Sequence, residues 1–251
     1  MQIKYQKTDI LYRPVLFIMG TFMLTWCCAG FMTKINADTH IIIYTFLDFI
    51  ENASPLFCAM LLLGQYFTTD KFLWKFFLGE PSKIYSYFIV FILFAAQFFN
   101  FYCFQVEAAE FSVQTFAVTF AGQFLLGGGL EEAGWRGYLL PCFHKKYNIV
   151  ISSISVSIIW VLWHLPYFFI SGSMQANGNF YMYAIIGIIT GFILSANYLL
   201  TRSVLLCMLF HSWQNTIVMT IQANMEDMRF LLFFIALGVV SVLLCMKQNR
   251  G

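Results

Sequence analysis

The chain has 251 residues, of which 60% are apolar or aromatic and 10% are charged, with a formal net charge of +2. A soluble domain runs roughly 45–50% apolar and about 25% charged, so there is too little polar surface here to coat a water-soluble globule of 29.1 kDa with mean hydropathy +0.74. A secreted disulfide scaffold, a nucleic-acid binder and a disordered tail are excluded together, leaving an integral membrane protein.

Apolar runs near twenty residues are expected to cross the roughly 30 Å hydrocarbon core as helices. Eight such runs occur in chain order: 14–33, 40–63, 84–104, 111–140, 148–170, 180–200, 203–222 and 229–246. The first follows Lys4, Lys7 and Arg13 without a clean small-residue cleavage site and is expected to stay in the mature chain. Between the second and third lies the longest polar connection, 64–83, whose Phe72-Leu73-Trp74 and Phe76-Phe77-Leu78 clusters predict an interfacial helix. The fourth run is interrupted by Gly127-Gly128-Gly129, which predicts a shorter span followed by a second, tilted helix from Leu130. The seven cysteines are scattered through apolar runs without a CxxC, which predicts packing rather than metal or redox chemistry.

Eight crossings put Lys4, Lys7, Arg13, Lys71, Lys75, Lys83, Lys145, Lys146, Arg202, Lys247 and Arg250 on one side, against Lys34 and Arg229 on the other. The positive-inside rule then predicts a cell-membrane protein with both termini cytoplasmic. No repeat or domain-sized linker is visible, so one transmembrane domain is expected over residues 1–251. The expected class is all-α: about eight transmembrane helices enclosing an intramembrane polar cavity.

Ionised side chains inside a span are expensive and need a partner or a task. Span two holds Asp48 and Glu51, span four Glu131, Glu132 and Arg136, span five His164, and span seven His211 and Asn215. Glu132 and Arg136 are four apart, in the favourable order for an ion pair. Glu131 is rotated about 100° from Glu132 by the helical period, so one carboxylate can be neutralised while its neighbour stays available. An ion-pair triad that merely holds helices together is the other reading. His211 and Asn215 can point at one spot, and Trp160 places a ring one turn behind His164. Pro166 can loosen the helix there and free a carbonyl. Asp48 and Glu51 either line the same cavity or pair with Arg202 or Lys34.

Glu131-Glu132-Ala133-Gly134-Trp135-Arg136 matches the EExxxR motif of the CAAX-protease and bacteriocin-processing family, Trp160 through His164 resembles its FxxxH motif, and His211 through Asn215 matches its HxxxN motif. The motifs follow the family's order, over roughly 111–220, and Trp in place of Phe at 160 is the one departure. The resemblance implies an intramembrane endopeptidase similar to the type II CAAX prenyl endopeptidases, with this segment as its catalytic core. Carried over residue by residue, it makes Glu131 the general base, has His164 hold and activate the water, and gives His211 and Asn215 the oxyanion, with Glu132 and Arg136 supporting. Such a reaction needs water, so a cavity must open to one side; the side of the basic connection after span four is expected.

A metal-free, Glu-activated water is the expected mechanism, since HExxH is absent and Arg136 competes with a metal for the carboxylates. Zinc held by Glu131 or Glu132 with His164 and His211 is the alternative. Expected partners are the lipid bilayer and a peptide or protein substrate in it, either prenylated or a bacterial signalling or bacteriocin precursor, and no nucleic acid. A non-catalytic bacteriocin-immunity protein and a proton-coupled transporter are the rival functions, the latter because intramembrane acids and histidines also mark ion paths.

Overall fold

A computed structural model describes residues 9–35, 39–64, 70–80, 82–105, 112–173, 175–176, 178–221, 223, 225 and 227–248. Lys4, Lys7 and Arg250 of the charge pattern, and 65–69 and 81 of the polar connection, lie outside the described residues. The elements among the described residues are all helices, with no strand: α1 (Asp9–Met32), α2 (Ile41–Leu63), α3 (Asp70–Leu78), α4 (Ile84–Cys103), α5 (Val113–Leu125), α6 (Gly128–Gly134), a π-helical turn (Trp135–Leu139), α7 (Leu140–His144), α8 (Ile149–Trp163), a 3-10 helix (Leu165–Phe169), α9 (Phe180–Thr201), α10 (Val204–Thr220) and α11 (Met228–Gln248).

The apolar runs dictate this outcome, because backbone groups in lipid must be satisfied within each segment. Helix starts are closed by the residues that do this best. Asn148 accepts from the Ile151 amide at 2.9 Å, and Ser112 and Ser203 cap α5 and α10 in the same way. Hydroxyls inside the spans fold back onto their own helix, as Ser157 onto the Ser153 carbonyl at 2.7 Å. Large apolar side chains face outward, Ile42 at 83% and Leu61 at 80% exposure, which only a lipid surround accommodates. All seven cysteines are free, five of them buried.

Among the described residues, seven helical segments are long and apolar enough to cross a membrane, one of them the composite Val113–His144. The eighth expected span is α10, which at 17 residues sits at the short end of what crosses. Contacts between connections agree with eight crossings. Ser203, between α9 and α10, donates to the Phe77 carbonyl at 2.9 Å, and Gly79 lies against the Arg202 backbone. At the other end, Gln105 and Ala223 form an antiparallel bridge between the α4–α5 and α10–α11 connections. Each pair joins connections that alternation puts on one side.

α2 packs between α1 and α6, α9 between α8 and α11, and α10 against α5 and α6. The α2–α6 approach depends on Gly134, where a Cβ would stand 2.6 Å from the Pro55 carbonyl oxygen and 2.7 Å from its carbon. Backbone cannot yield as a flexible side chain can, so only glycine allows this contact. Gly134→Ala is expected to cost roughly 1–3 kcal/mol through overpacking, read as a lower unfolding temperature in detergent. Gly30→Ala, which meets nothing within 4 Å, serves as the control and leaves that temperature unchanged or slightly raised.

Candidate active site

The fourth span is broken where the glycines predict. α5 ends at Leu125, Gly127 precedes α6, and Glu131 and Glu132 fall in α6's first two turns. The π turn and α7 then carry the chain on to His144. α8 stops at Trp163, His164 is its C-cap, and the Pro166-containing 3-10 helix turns away. A carbonyl released by this ending, that of Trp163, accepts from the Trp26 indole at 3.3 Å. Glu131 and His164 consequently lie at similar depths, roughly 20 and 22 Å from the helix ends at His144 and Ile149.

Glu132 is fully buried, and its Oε1 accepts from Arg136 Nη1 at 3.0 Å and His211 Nδ1 at 2.8 Å. Arg136, also fully buried, donates from Nη2 to the Gly191 carbonyl at 3.4 Å and lies over the Trp160 ring, 5.7 Å from its centroid. Glu131 is differently placed. Its Oε2 accepts from Trp160 Nε1 at 2.6 Å and Trp135 Nε1 at 3.4 Å, while no described residue bonds Oε1. The expected division between the two glutamates is present in the contacts.

The His164 Nδ1 lies 2.8 Å from the Trp160 carbonyl. A carbonyl only accepts, so Nδ1 carries the proton and Nε2 the lone pair. The ring is wedged edge-on between Trp160 and Trp163, with centroids 4.9 and 4.6 Å away. On α10, Asn215 Nδ2 donates to Gln123 Oε1 at 2.9 Å. Asn215 Nδ2 and His211 Nε2 converge beside Gly128, at 2.5 and 2.9 Å from where a Cβ would be. Any side chain there would cover both nitrogens.

Glu131, His164, His211 and Asn215 all line one cavity of about 930 Å³, with Glu132 and Arg136 behind its wall. Every expected site residue is therefore at or against one cavity. The expected opening is corrected. The cavity reaches Gly172, Ser173 and Asn179 before α9 and Ala223 and Met225 before α11, and no residue of the basic α7–α8 connection lines it. Proximity in sequence misleads here, because the π turn and α7 take the chain some three turns farther from Glu131 before that connection begins. Asp48 and Glu51 line the cavity as well, while Arg202, at the other end of the bundle, stacks on Tyr198.

The donor set is a poor fit to zinc as arranged. Glu132 Oε1 is engaged by a guanidinium and an imidazole N–H, and among the described residues no three His, Cys, Asp or Glu side chains are grouped to hold a metal ion. Sequence reasoning missed both indole donors to Glu131. Trp135 stands four residues after Glu131, the same spacing that pairs Glu132 with Arg136, so that signal was available; the Trp160 contact joins separate helices and left no sequence signal.

Removing one member of a buried ion pair strands the other, at roughly 3–5 kcal/mol. Arg136→Met is therefore expected to yield little folded protein in detergent, measured by size-exclusion recovery, and adding Glu132→Gln is expected to restore much of it.

Residues 112–217 match the family described as type II CAAX prenyl endopeptidase Rce1-like. Over 180 residues, 65% of the chain and 66% of the relative, it is 24% identical to CAAX prenyl protease 2 of Methanococcus maripaludis, so the match spans just under two thirds of that relative's length. The matched segment contains all six residues assembled above, and over that segment the chain is similar to the Rce1-like type II CAAX prenyl endopeptidases.

Proposed function

We propose that this chain is an intramembrane endopeptidase that hydrolyses a peptide bond with a water activated by Glu131, without a metal. Residues 111–220 form the catalytic core of a single transmembrane domain. The observation that carries this reading is the unequal treatment of adjacent glutamates: Glu132 is neutralised by Arg136 and His211, whereas Glu131 lines the cavity with Oε1 bonded by no described residue.

Glu131 Oε1 takes a proton from water while His164 Nε2 accepts the water's second hydrogen bond. The water oxygen bonds to the scissile carbonyl carbon, and the resulting oxyanion accepts from Asn215 Nδ2 and His211 Nε2. Because His211 Nδ1 already donates to Glu132, donation from Nε2 requires both ring protons, and the Glu131 and Glu132 carboxylates together balance the Arg136 and His211 cations. Collapse breaks the C–N bond as Glu131 returns its proton to the departing amine, leaving a carboxyl and an amine product. The two indole N–H groups on Oε2 keep Oε1 turned to the water. A dry site strengthens each of these interactions.

The eleven-to-two distribution of basic residues supports cytoplasmic termini. The cavity lies at the opposite end, so the substrate is met in the non-cytoplasmic half of the bilayer. A farnesylated CAAX peptide, after the name of the relative, and a bacterial signalling-peptide precursor with an amphipathic leader are the substrates to test.

Purified protein is incubated with each peptide and the products are read by mass spectrometry. Glu131→Ala and His164→Ala are expected to lose roughly 10²–10⁴-fold in kcat, and Asn215→Ala roughly 10²–10³-fold. Trp160→Phe is expected to lower kcat about tenfold with KM unchanged, since one hydrogen bond to a charged group is worth about 1.5 kcal/mol. Cleavage retained by Glu131→Ala overturns the mechanism. Stoichiometric zinc in the wild type that is lost in His164→Ala overturns its metal-free form.

A further inference from the structure

Three carboxylates line the cavity, and the reaction above uses only Glu131. Asp48 and Glu51 lie one turn apart on α2, facing it. No lysine or arginine among the described residues lines the cavity, and no described residue forms an ion pair with either acid. Glu51 has no exposed surface, and both of its carboxylate oxygens lack a hydrogen-bond partner among the described residues. The hydroxyl of Tyr167, a residue 9% exposed on the same cavity wall, is likewise unpartnered.

The neighbouring packing makes this arrangement specific. α2 is fixed to α1 through the Thr25 hydroxyl, which bonds the Glu51 carbonyl at 3.2 Å and the Ser54 hydroxyl at 2.8 Å. Trp163 Nε1 donates to the same Thr25 oxygen at 2.8 Å. These contacts hold the backbone of Glu51, and none of them reaches its carboxylate. Elsewhere in the site each buried acid is matched: Glu132 by a guanidinium and an imidazole, Glu131 by two indoles. An acid removed from water without a counter-charge is costly, and among the described residues the α2 pair has only neutral neighbours, the Tyr167 hydroxyl and the Asn52 amide, and no cation.

We infer that the α2 side of the cavity is a subsite for a positively charged group of the peptide substrate, a lysine or arginine side chain or a free α-ammonium. Such a group brings three to five N–H donors to the two Glu51 oxygens, the Asp48 carboxylate and the Tyr167 hydroxyl oxygen. Charge-assisted bonds of this kind are the strong ones. The described residues group no metal-binding set of His, Cys, Asp or Glu, which favours an organic cation over a metal ion. The subsite makes the enzyme selective for a basic residue, or a free N-terminus, at a fixed distance from the scissile bond. This rests on the endopeptidase reading, and its test separates the two.

The farnesylated CAAX peptide and the signalling-peptide precursor are each made with lysine, norleucine or glutamate at successive positions, N-terminus free or acetylated. Affinity for the full chain carrying Glu131→Gln, in lipid nanodiscs, is read by fluorescence anisotropy, with cleavage by the wild type followed in parallel. At one or two positions lysine is expected to bind roughly tenfold to a hundredfold more tightly than norleucine. If the α-ammonium is the ligand, that gain comes from the free N-terminus and disappears on acetylation. Adding Asp48→Asn and Glu51→Gln is expected to bring the ratio to within about twofold of one. Should Glu51→Gln not fold, Asp48→Asn alone, at a half-buried position, reads the same ratio. Absence of any charge preference in the parent protein, or a preference that survives the substitutions, overturns the subsite. A preference without cleavage by the wild type sinks the hydrolase reading and leaves the subsite standing; cleavage without a preference does the reverse.

Discussion

A carboxylate in the middle of a membrane bundle has to be neutralised by protein, and Glu132 is where this chain meets that requirement. Its Oε1 holds Arg136 from the π turn and His211 from α10. Through the first contact the π turn is tied to α6; through the second, α10 is docked on α6. The Arg136 guanidinium in turn reaches the Gly191 carbonyl on α9 and covers Trp160 on α8. Four elements are thus held around one oxygen. Water would supply these partners in a soluble protein; here the protein must supply them in one arrangement.

That requirement explains the irregular backbone. Loops and broken helices are tolerated at membrane depth only where protein or a water-lined cavity satisfies them. The break before Gly128, the π turn after Gly134 and the 3-10 helix after His164 all lie at this cavity or directly behind it. The first lets His211 and Asn215 approach backbone with no intervening side chain. The second carries Arg136, which meets Glu132 one turn back and reaches the Gly191 carbonyl. The third leaves His164 at a helix end, where its ring bonds the preceding turn and its other nitrogen bonds no described residue.

Much of this was legible in the sequence because lipid leaves few alternatives. Apolar runs near twenty residues become spans, three consecutive glycines interrupt one, and Glu132 and Arg136 declare their pairing by spacing. The rest depends on how helices are rotated against one another. Asp48 and Glu51 face the cavity because Gly134 lets α6 meet Pro55 and because Thr25 fixes α2 to α1, and neither contact has a periodic signature. The π turn follows Gly134 and contains Gly137, yet nothing in an apolar helix distinguishes five-residue from four-residue hydrogen bonding. Trp160 reads as a packing ring, and only the meeting of α8 with α6 gives its N–H an acceptor.

Chain order gives the Glu132–Arg136 pair a role before the fold is complete. Both residues are four apart in sequence, so their contact closes within the segment itself and needs no other helix. Glu131 receives Trp135 from the same helix but must await Trp160 on α8, and the donors beside Gly128 arrive only with α10. The nascent chain therefore holds a stabilised acid and an unfinished site side by side. The site is complete only when the seventh crossing is in place.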